Sequence, residues 1–214
     1  MKKSTVRKCR AVLLLIACFS MLLSAASAGT SIGKSGSSSS ASLTQQLDAL
    51  SPFKFANHKR GIGYGSCPVY SAPSLDSYRG ANGKATVATN SDMAEAGYVS
   101  GWLMVRYETN NGGYRVGYIP PKYVKNFKSS MAPHFGYIPV VAQDTIYVTD
   151  NPMRHGDYFA VLDPGESFHI LSKYNYYRDQ GLEWWYIECT VDGKIARGFI
   201  EMSDSRFGED EGDG

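Results

Sequence analysis

Residues 102–124 constrain the fold of this chain more than any other stretch, because they have the pattern of two strands joined by a tight turn. The sequence is WLMVRYETNNGGYRVGYIPPKYV. Side chains of residues 102–107 alternate between two faces, as on a half-buried strand. Residues 110–113 supply the positive-φ positions of a hairpin turn, and residues 114–119 return antiparallel. Pro120 ends the second strand because it has no N–H to donate.

A second copy of this pattern, WWYIECTVDGKIARGFI, follows later in the chain. In the first copy, one strand face carries Leu103, Val105 and Tyr107, and the other carries Trp102, Met104 and Arg106. The matched pairs are Trp102 and Trp184, Val105 and Ile187, Gly117 and Gly198, Tyr118 and Phe199, and Ile119 and Ile200. The period, about 80 residues, is too long for a solenoid unit. The sequence therefore predicts two copies of one domain.

Each copy is predicted to be a small all-β domain, the first over residues 61–126 and the second over 132–205. In the first, residues 67–70 and 84–89 are expected to be strands, and residues 90–100 a loop. In the second, strands are expected at residues 140–141, 145–148, 158–162, 168–171, 184–189 and 195–200, and a Tyr-rich loop at 174–181. For the first domain, five short strands with a long first loop favour a half-open barrel. Residues 206–214 form an acidic, Gly-rich tail that is expected to fray.

The N-terminus is typical of an export signal. Residues 1–28 combine a basic start, an apolar run over 11–23 that is short for a spanning helix, and an A-x-A cleavage site. Residues 29–60 are expected to be a Gly/Ser-rich linker, with a possible short helix over 43–50. Cleavage removes five of the 22 basic residues and leaves 17 against 20 acidic, a formal charge of −3. No basic run has the length of a nucleic-acid footprint, so nucleic acid is not expected as a partner.

The cysteines leave two questions open. Residues 15–18 also resemble a lipoprotein box, in which a lipidated Cys18 would anchor the protein to a membrane. Cys67 and Cys189 remain after cleavage, and a pair in an exported protein suggests a disulfide. Strand alternation indicates instead that each points into the core of a different domain, where a free thiol behaves as a small apolar side chain.

The chain resembles a tandem of bacterial SH3-like (SH3b) domains. The resemblance rests on Trp102, residues 117–120 and 123–124, and on their counterparts at 184–185 and 198–200. It covers nearly all of residues 61–205, and its short motifs specify fold better than function. The family implies five-stranded barrels without chemistry of their own, which in exported bacterial proteins bind cell-wall or peptide ligands.

In SH3 domains the ligand groove is formed by aromatic faces and a proline. Carried over by position, the resemblance implies a groove of Tyr70, Trp102, Pro120 and Tyr123 in the first domain. The alternative is that these aromatic side chains only cover the barrel.

The second domain departs from the groove pattern. Glu201 and Asp204 stand where the first domain has Pro120 and Tyr123, and only Trp184 is retained. The second domain is therefore expected to be a structural partner, or to bind through residues 174–177.

No catalytic centre is evident in the sequence. Cys67 precedes three histidines, an order that a cell-wall Cys peptidase permits, but it lies on a strand before a proline rather than at a helix start. The histidines lack zinc spacing, no calcium loop is present, and no Gly-rich phosphate loop precedes a helix, so no metal or cofactor is expected.

The function that this sequence favours is an exported, non-catalytic protein that binds cell-wall peptide, or a peptide segment of a protein, through the first domain. The alternatives are a lipid-anchored scaffold and a small Cys-dependent wall hydrolase.

Overall fold

The computed structural model of the protein describes residues 7–8, 41–58, 65–88, 93–110, 112–124, 127–152, 157–177, 182–203 and 206–208. These ranges hold β1 (Arg7–Lys8), α1 (Leu43–Asp48), β2 (Pro52–Phe53), β3 (Ala56–His58), β4 (Ser66–Pro68), β5 (Thr86–Ala88), β6 (Met93–Val99), β7 (Trp102–Glu108), β8 (Tyr114–Ile119) and a 3₁₀ helix (Pro121–Tyr123). They continue with β9 (Ile138–Ala142), β10 (Ile146–Thr149), β11 (Tyr158–Leu162), β12 (Ser167–Tyr177), β13 (Leu182–Val191), β14 (Lys194–Glu201) and β15 (Phe207–Gly208).

The strands form three sheets. One has the order β3-β6-β7-β8, one pairs β4 with β5, and the largest runs β1-β11-β10-β14-β13-β12-β9-β15, with β2 beside β12. The fold includes a sheet that curls into a half-barrel. The predicted all-β class is confirmed for the described residues. Strands β4–β8 are called the first unit and strands β9–β15 the second unit.

Two stretches predicted as loops are strands. Residues 93–99 form β6, in which six of seven residues are buried. The burial of both faces removes the alternation that marks a strand in the sequence, and small residues such as Ala94, Ala96 and Gly97 give no strand signal of their own. Residues 174–177 likewise continue β12. The predicted tail also begins with a strand, because Phe207 pairs with Ala142 of β9.

The two predicted hairpins have the same register. Gly117 lies opposite Val105 in the pairing of β8 with β7, and Gly198 lies opposite Ile187 in the pairing of β14 with β13. The residue matches that the sequence repeat predicts are thus matches in strand pairing as well.

In each unit, a segment from an earlier part of the unit packs directly against the glycine of the hairpin. A Cβ on Gly117 would collide with Val69 and stand 3.0 Å from the Tyr70 carbonyl oxygen. A Cβ on Gly198 would lie 2.6 Å from Val148 Cγ1 and 2.8 Å from the Thr149 carbonyl oxygen. Tyr70 then bridges to Tyr118, and Thr149 to Phe199. Both glycines are therefore required for the strand crossing in their unit.

The units contact each other reciprocally. In each unit, the residue before the hairpin glycine donates its backbone N–H to an oxygen of the other unit. The acceptor belongs to the residue that follows the segment lying over the other unit's glycine. Val116 N lies 3.1 Å from the Asp150 carbonyl oxygen, and Arg197 N lies 2.8 Å from Ser71 Oγ. Equivalent residues of the two units thus make reciprocal contacts across the interface.

Three cores hold the structure. The first-unit core includes Cys67 and Leu103, and the second-unit core includes Cys189 and Ile187. A third cluster, the shared core, combines side chains of both units with part of the N-terminal segment. It contains Phe53, Ala96, Val99, Met104, Val116, Tyr118, Leu171, Tyr174, Trp184, Tyr186 and Phe199. Cys67 and Cys189 are both buried and do not form a disulfide, as the strand alternation predicts.

Residues 41–58, predicted to lie in a linker, form a strap across both units. The predicted helix is present as α1, whose Ser42 and Gln45 form a capping box. Leu43, Leu47 and Leu50 pack against the second-unit core, as their shared side predicts. Beyond α1, β2 pairs with β12 of the second unit, and β3 pairs with β6 of the first unit.

Phe53 of the strap fills the shared core. Its ring lies 5.0 Å from Tyr174, 5.3 Å from Tyr186 and 6.5 Å from Phe199, measured between centroids. The prediction of a linker was wrong for residues 52–58, because a strand of two or three residues is too short to show a period. Pro52 and Phe53 pair with β12, and Phe53 also packs against the aromatic side chains of the shared core.

The predicted signal lies mostly outside the described residues. Of residues 1–28, the structure describes only Arg7 and Lys8, which pair in parallel with β11. Within the described ranges, no helix has the length and apolar character needed to cross a membrane.

Replacing Phe53 with alanine tests the strap. We expect Phe53→Ala to lower the free energy of unfolding by about 3–5 kcal/mol, because it removes a buried aromatic side chain and leaves a cavity. The free energy is measured by urea denaturation, with Lys54→Ala as the control, because Lys54 is the exposed neighbour on the same segment. A loss below about 1 kcal/mol for Phe53→Ala would show that the strap does not contribute to the shared core.

The glycine crossing is tested by Gly198→Ala. Its methyl group would be forced against Val148, Thr149 and Phe159, so we expect a loss of about 1–3 kcal/mol or more in thermal or urea denaturation. Gly113→Ala is the matched control, because its new Cβ would meet its nearest atoms at an ordinary 3.5 Å. Equal effects of the two substitutions would contradict the crossing.

Candidate functional site

Tyr70 and Trp102 form the centre of the predicted groove. Tyr70 is held beside β8 by two backbone hydrogen bonds with Tyr118, of 3.0 and 2.7 Å. Trp102 begins β7, and its ring meets the Tyr70 ring edge to face, with centroids 5.3 Å apart and planes at 81°. Both side chains are half-buried. The structure therefore brings together two of the predicted groove residues at a surface, in a geometry that aromatic pairs prefer.

Pro120 and Tyr123 lie on the neighbouring segment. Ile119 pairs with Leu103, so Pro120 continues β8 opposite Trp102. Pro120 is buried and precedes the 3₁₀ helix, where its carbonyl accepts a hydrogen bond from Tyr123 N at 3.0 Å. Tyr123 is half-buried against the first-unit core, with Lys122 Nζ 5.0 Å from its ring centroid. Pro120 therefore lies beside Trp102 in strand register, and Tyr123 ends the 3₁₀ helix that follows.

Trp184 has a different environment from its counterpart Trp102. It is 2% exposed and lies in the shared core. Tyr174, the first residue of the second predicted binding stretch, is also buried there. These positions suit packing rather than contact with a surface ligand, because each unit covers this face of the other.

Arg79 gives the candidate groove a positive charge. Its guanidinium carbon lies 4.7 Å from the centroid of the Tyr70 ring, a cation–π contact. Its Nε and Nη2 donate to the carbonyl oxygens of Val69 and Ala85 at 3.4 and 2.9 Å. Tyr70 thus contacts both Trp102 and Arg79. The sequence did not indicate that Arg79 would lie there, because Arg79 belongs to a long loop without a strand pattern.

A small cleft beside Tyr70 contains a salt bridge between the units. Its volume is about 20 Å³, enough for roughly one water molecule. Arg115 Nε lies 3.2 Å from Asp150 Oδ2. Burial raises the pKa of Asp150 from its ordinary value of 3.8 to about 6, although Arg115 opposes the shift.

Arg197 is a second buried cation that the sequence reasoning missed. Its guanidinium donates to Glu188 Oε2 at 2.8 Å, to the Tyr118 hydroxyl at 2.9 Å and to the Tyr137 hydroxyl at 2.6 Å. The Tyr118 and Tyr186 hydroxyls lie 3.1 Å apart. Burial alone would lower the pKa of Arg197, but the surrounding tyrosines and Glu188 outweigh it and keep the guanidinium charged.

The Arg197 network joins the two units and is not a ligand site, because the guanidinium nitrogens of Arg197 donate to protein groups. The position of Arg197 in its strand could have revealed this network. Arg197 shares a strand face with Phe199, and its counterpart in the first unit, Val116, is buried. An arginine on such a face has to be paired.

Cys67 does not have the environment of an activated nucleophile. It is 1% exposed, and burial raises the pKa of its thiol to about 11, so the thiol stays protonated near neutral pH. Among the described residues, no three His, Cys, Asp or Glu side chains are grouped as a metal ion would require.

The comparisons identify no relatives for this chain. No family model, no curated protein and no solved structure matches it.

The raised pKa of Asp150 predicts a pH dependence. Because the folded-state pKa lies above the unfolded-state value, the folded protein binds this proton more tightly. Stability should therefore rise as the pH falls through about 6 and level off below about 4. The gain should be on the order of 1–2 kcal/mol, because the carboxylate is 23% exposed and partly screened.

The measurement is urea denaturation between pH 8 and pH 4 for the wild type and for Asp150→Asn. The unfolding free energy of the wild type minus that of Asp150→Asn should increase as the pH falls from 8 to 4. A constant difference would show that Asp150 titrates with an ordinary pKa.

Proposed function

We propose that this protein is an exported, non-catalytic binding protein built from two SH3-like barrels, and that its first unit binds an extended peptide. The ligand is a peptide of the cell wall. It lies across Trp102 and Tyr70, with Pro120 beside Trp102 and Tyr123 at one end. Export follows from the predicted signal over residues 1–28, and the barrel assignment follows from the resemblance.

The observation that carries this proposal is the Tyr70–Trp102 pair. The two rings are nearly perpendicular and both are partly open to solvent, so one presents its face and the other its edge to a ligand. Such surfaces bind extended peptides with little loss of side-chain entropy, because each ring has only two rotatable bonds. Pro120 is buried and directly precedes a 3₁₀ helix that begins with Pro121, so the backbone beside Trp102 is restrained.

The second unit supports the first instead of providing a second groove. The counterpart of Trp102 is buried in the shared core, and Glu201 replaces the proline. The reciprocal hydrogen bonds and the Arg197 network fix the second unit against the back of the first. One shallow surface buries little area, so an affinity in the micromolar range or weaker is expected.

The proposal is tested by co-sedimentation of purified residues 29–214 with isolated bacterial cell-wall sacculi. The wild type should sediment with the sacculi, and Trp102→Ala combined with Tyr123→Ala should reduce the bound fraction at least about tenfold, since stacking contacts at the centre of an interface dominate its energy. Tyr147→Ala is the control, because Tyr147 is an exposed aromatic residue of the second unit, 44% exposed and away from the pair.

The urea midpoint of each variant is measured alongside, so that lost binding is separated from lost folding. Sedimentation of the folded double variant at the wild-type level would overturn the assignment of the groove. If none of the proteins sediments, the wall ligand is wrong.

A further inference from the structure

A cleft between the two units begins where the candidate groove ends. One wall is the loop of the first unit between β4 and β5, and the other is the turn between β13 and β14. The cleft has a volume of about 280 Å³. The lining side chains that matter for its chemistry are Tyr70, Leu75, Tyr78, Arg79, Asp192 and Lys194.

The two walls are fixed to one another. Tyr78 N donates to the Ile195 carbonyl oxygen at 2.9 Å, and the Tyr78 ring stacks on Phe159 with centroids 5.5 Å apart. Ser71 Oγ donates to the Arg197 carbonyl oxygen at 3.0 Å and accepts from its backbone N–H. Because these bonds join the loop to the second unit, the cleft is formed before any ligand arrives, which reduces the cost of binding.

The loop itself is also held in one shape. Ser71 N donates to the Tyr78 carbonyl oxygen at 2.8 Å, and Ser77 Oγ donates to the carbonyl oxygens of Ala72 and Ser74 at 3.0 and 2.8 Å. At its tip stands Leu75, which is 63% exposed although it is apolar. Because Leu75 lines the cleft, it can contact an apolar group of a ligand bound there.

The charges of the cleft favour an anion. Arg79 and Lys194 are cationic, and Asp192 is the one acidic residue among the described side chains that line the cleft. Arg79 uses two N–H groups on backbone carbonyls, so its plane is held in place on the Tyr70 ring. A guanidinium has five N–H donors, and those that remain suit the two oxygens of a carboxylate.

We propose that this cleft binds the terminal carboxylate of a peptide, with the last apolar side chain against Leu75. Tyr70 borders both the cleft and the Trp102 surface, so a peptide that crosses Trp102 and Tyr70 reaches the cleft with its carboxyl end. The inference rests on the proposed function for this path. It names the ligand class as a peptide with a free carboxyl terminus and makes the site a composite of both units.

The test titrates the isotope-labelled protein with acetyl-Ala-Ala-Leu as the free acid and, separately, as the amide, and follows the amide resonances of the protein by NMR. The free acid should shift the resonances of Gly80, Ala81 and Gly83 at millimolar concentrations. The amide should bind at least about tenfold more weakly, because a charge-assisted bidentate contact is lost. Equal binding of the acid and the amide, or no shifts with either, would overturn the proposal.

Substitutions on both walls assign the charges. Lys194→Gln should weaken binding of the free acid about two- to fivefold, as expected for an exposed charge pair, and Asp192→Asn should strengthen it by a similar factor. Lys84→Gln is the control, because Lys84 is an exposed lysine next to the cleft that does not line it. Arg79→Gln should have the largest effect, and the Lys194 variant keeps the test decisive if the loop loosens without Arg79. Equal affinities for Lys194→Gln and Lys84→Gln would contradict the assignment.

Competition on sacculi separates this inference from the proposed function. Displacement of the bound protein by the free acid, and not by the amide, would assign the carboxylate to wall peptide. Binding of the free acid by a protein that does not sediment with sacculi would support the cleft and assign its ligand to the carboxyl end of a protein. If sedimentation depends on Trp102 but neither Lys194→Gln nor Asp192→Asn changes it, the groove stands and the cleft is not part of the site.

Discussion

The close passage of a chain segment over a hairpin glycine is the constraint on which the rest of the structure depends. Without a side chain at Gly117, the Val69–Tyr70 segment can lie on β8, and Tyr70 is thereby carried to the edge of Trp102. The equivalent passage over Gly198 brings Asp150 to the interface with Val116. One steric requirement, met twice, therefore positions both the candidate groove and the contact between the units.

The contact between the units is a core rather than a surface docking. Tyr118 and Phe199 hold equivalent positions in the two hairpins, and both are completely buried in the shared core. Arg197 introduces a charge at its border, which is tolerated because Glu188 and the Tyr118 hydroxyl satisfy it. A buried polar network of this kind favours one relative orientation of the units, because any other would leave the guanidinium without its partners.

Much of the fold could be predicted from the sequence, and the failures have a common cause. The paired hairpins, their register and the burial of Cys67 and Cys189 in separate cores follow from period-two alternation and from turn residues, which are local signals. Strand β6 was missed because both of its faces are covered, and the strap because its strands are too short for a period. Of the candidate site, Tyr70 and Trp102 meet as the resemblance implies, whereas Trp184 does not reach the surface.

The sequence by itself determined the hairpin strands, their turns and the repeat, because each depends on side chains a few residues apart. The tertiary structure alone decided which of the two equivalent tryptophans stays partly exposed. Trp102 and Trp184 hold the same register position, yet the way the units pack leaves one beside Tyr70 and buries the other. The tertiary structure also decided the cleft that holds Arg79 and Lys194. Its walls come from segments that are distant in the chain, and hydrogen bonds between the units bring them together.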